Sequence, residues 1–515
     1  MKLTRINRFA CLPSVTASAV CLIALVVNPM AHGATGTWTQ LTSGGNWSDG
    51  GKWSGGTIAD ESGSTANFST LNITAENTVQ MDGPHTLTAL TFTDSTTPFF
   101  GWILDNNGNS TNFITLAGTT PTITMGTSTS ATISLAIAGS NSWSKAGAGK
   151  LILSGDNTYS GATTLTTVAN SIINIQSANA LGATGAGNGT TVNSGTTLQL
   201  QGGVGFAAEA LTIASNASNI VNFQSVSGDN TWNETITTSG SIKAARISSD
   251  AGLLTLAGDI NGASSSTQQI VLSGAGNILI SGKITGTSIL TSGSAVVTGS
   301  AGIRTLTNTA NYFTGQVRIN AGTLSINSIK DVGAGNVSAL GAPTTTANGV
   351  IIMGAQATSG TFIYNGTVQS TDRTIQIGTN IGTPVATDTG GATIQADGAS
   401  NASLTFSATT FNSQTNATTG VGANRLLRLQ GASNGANTIS DIIQNNLATS
   451  GTATVGITKA STGTWVLSGN NTFSGATAVN SGILNIQHAN TPMRLGAQRP
   501  ALQSRMVLRC RCRVA

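Results

Sequence analysis

A stretch beginning at Trp143 recurs far downstream, and this repetition constrains the chain more than any other feature. W-S-K-A-G-A-G-K-L-I-L-S-G-D-N-T-Y-S-G-A-T-T-L runs on to I-N-I-Q at Ile173–Gln176. I-T-K-A-S-T-G-T-W-V-L-S-G-N-N-T-F-S-G-A-T-A-V-N-S-G-I-L-N-I-Q repeats it from Ile457 to Gln487. Lys145 matches Lys459, Leu153 matches Leu467 and Tyr159 matches Phe473, all at one offset. A worn third copy, N-Y-F-T-G-Q-V-R-I-N-A-G-T-L-S-I-N, occupies Asn311–Asn327 within a degenerate region 306–327. A unit reused at this length marks a stacked or arrayed architecture, in which each unit buries its apolar face on the next.

Within a unit the pattern is short alternating strands separated by Gly-Asx punctuation. L-I-L-S-G-D-N and V-L-S-G-N-N each end a strand on Gly-Asx, where a positive φ is cheap. G-L-L-T-L-A-G-D-I, T-T-L-Q-L-Q-G-G and Q-I-V-L-S-G-A-G-N-I-L-I-S-G-K-I-T-G extend the same texture outside the clear copies. No helical apolar period of useful length lies between caps. Composition agrees: 64 Gly, few Pro, and only 8% charged and 4% aromatic residues. The charge is too low for an ordinary disordered chain, and no G-X-Y period points to collagen.

The expected fold is therefore all-β, a right-handed parallel β-helix. Roughly 20–25 residues per rung and about 4.8 Å per rung give a rod on the order of 100 Å. Val, Ile and Leu fill its bore, while Thr, Ser and Asn face outward or stack in ladders. An antiparallel β-sandwich array is the runner-up, but no linkers delimit self-contained domains.

Both ends differ from the body. Residues 1–33 combine a basic start, an apolar run to Val27 and small residues at Ala31 and Gly33, the pattern of a secretory signal cleaved before Ala34. Residues 34–142 form a Trp- and Gly-rich N-terminal β-region with the solenoid cap, and 143–491 form the repeat solenoid. Residues 492–515 turn abruptly into an Arg-rich segment containing Cys510 and Cys512, a poor metal site with no His or carboxylate nearby. Permissible codons for that segment, read in a shifted frame from Met493, yield N-A-L-G-G-A-T-A-G-T-T-V-K-N-G-A-T-L-Q-V-Q-G. This matches Asn179–Gly202 of the chain itself, so a frameshifted repeat is expected there. The ends hold nine of the 22 basic residues and none of the 18 acids. The body is net acidic and free of cysteine, which argues against a nucleic-acid partner and against disulfide stapling. No second apolar run is long enough for a transmembrane helix in the mature body.

The repeat resembles the autotransporter-associated β-strand repeat, or passenger-associated transport repeat, through K-A-G-x-G-x-L-x-L-S-G-x-N-T-Y-S-G-x-T. Lys145–Gln176 and Lys459–Gln487 carry the resemblance closely, and Asn311–Asn327 loosely. Trp38–Thr74 also looks like the opening of large exported repeat proteins of this kind. The resemblance implies a β-helical passenger exported to the cell surface or outer membrane, with a stalk or adhesin-type role. It implies a C-terminal translocator barrel or anchor as well, and no strand series of that kind is apparent in this chain.

Parallel β-helices also host polysaccharide lyases and hydrolases, which need converging carboxylates. Here the acids are scattered. Asp60-Glu61, the one adjacent pair, reads as solvated turn acids. The body's single histidine, His85, sits beside a turn, and any Ser-His-Asp triad has to use it. Gly431-Ala432-Ser433-Asn434-Gly435 fits a nucleophile-elbow pattern but lacks the strand-elbow-helix context. Trp38, Trp47 and Trp53 suit a hydrophobic plug over the first rung better than a sugar-stacking platform. Lys145 and Lys459 read as exposed loop charges. No catalytic, cofactor-binding or metal-binding residue is assigned and no cofactor is expected. The expected role is non-enzymatic, with surface glycans or a host or neighbouring cell surface as partners. The alternatives are a secreted β-helical polysaccharide-active enzyme and a carbohydrate-binding surface module.

Overall fold

The chain is seen in a computed structural model. It describes residues 33–94, 97, 99–206, 209–214, 220–239, 243–265, 267–293, 301–355, 357–378, 390–399, 401–408, 410–413, 424–445, 454–488 and 494–495. The signal-like segment up to His32 and the Arg-rich tail lie outside this set, apart from the backbone of Arg494–Leu495.

Strands stack in parallel register into three long sheets and two short ones. An 11-stranded sheet runs from Thr35–Thr37 to Ile284–Thr285, and a 16-stranded sheet from Gly45–Asn46 to Ile442–Ile443. A 12-stranded sheet runs from Gly205–Phe206 to Arg494–Leu495. The short sheets comprise His85–Leu87, Phe113–Leu116 and Ala136–Ala138, and the five strands between Gln369–Thr371 and Ile483–Ile486. Successive strands in the chain belong to different sheets. Leu211–Ala214, Phe223–Ser227 and Asn230–Trp232 fall in three of them, and Ile236–Thr238 returns to the first. Each circuit is one rung of a parallel β-helix. Sixteen rungs in one sheet, at about 4.8 Å each, stack to roughly 75 Å. Helix is confined to one four-residue turn, Thr346–Gly349, and two short 3-10 turns among the described residues.

The two-residue side-chain period sorts the residues cleanly. Ile123, Leu151, Ile173, Leu198, Ile213, Leu254, Ile278, Leu324 and Phe362 point into one continuous core and are all but fully buried. Each such apolar side chain contributes about 1.5–3 kcal/mol relative to an exposed position. On the outer face of the 11-stranded sheet, Thr122, Ser144, Thr164, Thr191, Thr212, Thr237 and Asn261 lie in register on successive strands. This uncharged ladder is the outward stacking that the composition predicts.

Glycine acts at the repeat corners for a different reason from the one expected. Neither Gly155 nor Gly469, the glycines of the two S-G-Asx sequences, has a positive φ. Instead a Cβ on Gly155 would lie 2.3 Å from the Leu135 carbonyl oxygen, and one on Gly469 2.2 Å from that of Asp441. The rungs touch backbone to backbone there, so no side chain fits.

Candidate functional site

The repeat unit builds its own interior polar site, centred on an asparagine. In the first copy, the Ile137 N–H donates to Asn157 Oδ1 at 2.8 Å, and Asn157 Nδ2 donates to the Ala180 carbonyl. The Thr158 and Tyr159 amides both donate to Ile137 O, so that residue is clamped on both of its backbone groups. In the degenerate copy, Ile284 N–H donates to Asn311 Oδ1 at 2.8 Å and Asn311 Nδ2 to Ala339 O at 2.9 Å. In the last copy, Ile443 N–H donates to Asn471 Oδ1 at 2.8 Å, while Thr472 and Phe473 donate to Ile443 O. All three asparagines are buried. They satisfy backbone groups that would otherwise be stranded where one rung turns a corner beside the next.

The aromatic two residues on completes the corner. Tyr159, Phe313 and Phe473 are buried, and Tyr159 packs edge-on to Trp143 with ring centroids 5.8 Å apart. Gly182 and Gly341, both at positive φ, lie against the first two rings. A Cβ on either would come within 3.0 Å of the ring as well as 2.5 Å or less from the aromatic residue's own carbonyl. The matching segments are N-A-L-G (Asn179–Gly182) and S-A-L-G (Ser338–Gly341).

Lys145 and Lys459 are fully buried, contrary to the expectation of exposed loop charges. Lys145 Nζ donates to Gly147 O at 2.7 Å, Gly149 O at 2.5 Å and Ser171 Oγ at 2.9 Å. Lys459 Nζ donates to Ala460 O at 2.6 Å, Ser461 O at 2.7 Å and Ser481 O at 3.2 Å. The turn after each lysine passes through a left-handed residue, Gly147 or Ser461, and its carbonyls close on the ammonium. Burial pushes Lys145 down to about 7 and Lys459 down to about 8, while the three oxygen acceptors favour the charged form. Just before the degenerate copy a different cation does comparable work. Arg304 is buried and its guanidinium donates to Gly302 O and Gly274 O. A lone lysine in a Gly-rich turn looks solvated from sequence, because nothing in the pattern shows that carbonyls will surround it.

At the N-terminal end, Trp38, Trp47 and Trp53 are buried edge to face, with centroids 5.1 and 4.9 Å apart, on top of Phe68. Trp47 Nε1 donates to Ala59 O and Trp53 Nε1 to Trp47 O. None of the three rings offers a free face, which removes the sugar-stacking reading of this cluster. Beside them His85 is buried in strand His85–Leu87. Its Nδ1 lies 2.9 Å from Asp60 Oδ2, and Asp60 Oδ1 accepts the Thr86 N–H. Asp60 is thus tied to a histidine 25 residues away and is not merely a solvated turn acid. Ser48 Oγ lies 3.5 Å from His85 Nε2, completing a Ser-His-Asp sequence of contacts. Asp82 Oδ1 lies 3.8 Å from the same nitrogen and accepts the Ser48 N–H. A carboxylate at that point opposes the negative charge that acyl transfer develops near the serine. The arrangement ties three turns to one another across the first rungs.

Ser433, from the elbow-like pattern, is buried and its hydroxyl donates to Ala402 O, so it is not presented to solvent. Among the described residues no group of three His, Cys, Asp or Glu side chains gathers to hold a metal ion, and no helix is long and apolar enough to cross a membrane.

The three corner modules fall in the stretches that match the family model described as Passenger-associated-transport-repeat, residues 144–167, 296–326 and 457–486. The middle match begins before the degenerate region read from sequence and takes in strand Ile303–Leu306, including Arg304. The chain is also 28% identical over 520 aligned residues to a protein named Adhesin BmaC autotransporter from Brucella suis biovar 1 (strain 1330). The alignment covers 88% of this chain and 14% of that protein, so the chain spans a small part of its relative's length. No solved structure matches.

Proposed function

We propose that this chain is a non-enzymatic passenger segment, exported to the cell surface or outer membrane, where its β-helical rod serves as stalk and adhesive face. The observation that carries this reading is the repeated corner module. Three separate copies bury an asparagine, an aromatic ring and a caged cation to lock one rung onto the next. A chain that folds by adding rungs to a finished end is suited to emerging progressively from a secretion pore. The uncharged outer ladder and the relative's name support an adhesive role. The buried Trp cluster, with the His85–Asp60 contact beside it, serves as the N-terminal cap of the stack, and residues 1–33 serve as its export signal.

The test is to express the chain, fused to a translocator, on a non-adherent bacterium. Surface protease should shave a β-rich fragment from intact cells, and those cells should bind host or neighbouring cells. Protein that stays inside, or displayed protein that leaves adherence unchanged, contradicts the reading.

We also propose that the tail 492–515 is a frame-altered repeat. In the shifted frame Asn-Ala-Leu-Gly begins at Met493, and the same kind of segment packs on Tyr159 and Phe313 one rung after each of them. Sequencing the DNA from codon 485 onward tests this. An alternate frame that stays open into further repeats supports it, and one that closes at once overturns it.

A further inference from the structure

Between Ile319 and Gly360 the rod departs from its regular course. Val317 pairs with Ile351 and Gly322 with Gly360, a much longer circuit than the one joining Leu254 to Ile278. The extra chain, residues 328–350, alternates exposed stretches with buried ones such as Ile329 and Ala339–Leu340, and it is held firmly. The buried guanidinium of Arg373 donates to Lys330 O at 3.1 Å, Leu340 O at 2.9 Å and Gly341 O at 3.0 Å. Asp372 N–H donates to Asp331 Oδ1 and Val332 N–H to Asp372 Oδ1, so the two aspartates brace each other's backbones. Gln369 Oε1 accepts the Ile329 N–H at 2.8 Å, from 40 residues away.

This bracing leaves a groove of about 410 Å³ between the segment and the strand Gln369–Thr371. Lys330, Asp331, Asn336, Val368, Gln369 and Ser370 line it. The bracing uses one oxygen of Asp331 and one atom of Gln369. Asp331 Oδ2, Gln369 Nε2, Lys330 Nζ and Ser370 Oγ make no hydrogen bond among the described residues and remain available. Val368, 67% exposed, adds an apolar face to a mostly polar cleft that Ile329 also lines.

We propose that this groove binds an uncharged oligosaccharide. A carboxylate oxygen accepts from sugar hydroxyls, while the ammonium, the amide and the serine hydroxyl donate to them. The Val368 side chain gives a C–H face of the ring an apolar contact. Opposite charges on the adjacent Lys330 and Asp331 give no net attraction for an acidic glycan, and the cleft is open to solvent. The bracing by Arg373 and the paired aspartates sets the groove before binding, so little ordering is required when the ligand arrives. The inference rests on the surface-adhesion reading and gives it a ligand class and a location.

The full chain should be applied to an array of neutral and acidic oligosaccharides, alongside the variants Asp331→Asn and Ser370→Arg. Asp331→Asn keeps an oxygen for the Asp372 amide but removes the carboxylate, and Ser370→Arg fills the exposed groove. Neutral glycans should bind the parent chain, and both variants should lose at least about ten-fold in affinity while keeping the parent melting profile. Equal binding by parent and Ser370→Arg overturns the site. A blank array for the parent overturns the ligand class. In that case, adherence of displaying cells separates the two claims: persistent adherence leaves the adhesion reading standing, and its absence removes that reading as well.

Discussion

Asn157, Asn311 and Asn471 occupy positions where an aliphatic side chain of similar size would leave backbone groups buried and unpaired. Asn157→Leu strands the Ile137 N–H and the Ala180 carbonyl. A buried polar group left unsatisfied costs about 1–3 kcal/mol. Urea denaturation should show a loss of at least about 2 kcal/mol for Asn157→Leu, and little change for a leucine placed at exposed Asn434. Asp441 is the opposite case, a buried carboxyl with neither oxygen hydrogen-bonded among the described residues. Burial pushes it up to about 7, and Glu209 similarly to about 7 despite the hydroxyl of Thr190. Both are raised above their unfolded values, so between about pH 4 and 7 the folded chain binds more protons than the unfolded chain. Their contribution is therefore a penalty, absent in acid, that grows as pH rises through this window and is complete above it. Asp441→Asn should flatten part of that slope in thermal melts recorded from pH 4.5 to 7.5, and an unchanged slope would show that the carboxyl is not responsible.

At the scale of the element, much was legible in the sequence. The alternation of Leu, Ile and Val with Thr and Ser specified strands, and the recurrence at one offset specified a stack. The placement of each copy around the rod was not legible. The strand preceding the corner lies in the 16-stranded sheet as Lys150–Leu153, in the 12-stranded sheet as Ile303–Leu306, and in the five-stranded sheet as Thr464–Leu467. The module is the corner with its asparagine, aromatic and glycine, and it works on any face because its contacts are to the neighbouring rung. The contact of His85 with Asp60 and Ser48 was hidden for a related reason: pairing between rungs brings together residues that no local period connects. The S-G-Asx sequence points to backbone torsion at Gly155, whereas the cause is contact with the neighbouring rung. Gly155→Ala must therefore push the Leu135 carbonyl away and disturb two rungs, costing about 2 kcal/mol or more, of the order of an overpacked core. Hydrogen exchange should show faster exchange in both Ala136–Ala138 and Lys150–Leu153, and an effect confined to the turn would contradict inter-rung contact as the cause.

Over the whole molecule, overlapping rows of parallel backbone pairings carry the stack from Thr35–Thr37 to Arg494–Leu495, and polar side chains reinforce them where the chain turns. The ladder from Ser144 through Thr164, Thr191, Thr212 and Thr237 to Asn261 crosses five inter-rung steps on one outer face. Nitroxide labels at positions 144 and 261, on cysteines introduced in the thiol-free body, measure this stack directly by pulsed electron double resonance. Parallel rungs predict a single narrow distance near about 24 Å between the labelled backbone sites. A broad distribution, or a mean beyond about 35 Å as expected for separate sandwich domains, would contradict the parallel β-helix on which the whole account depends.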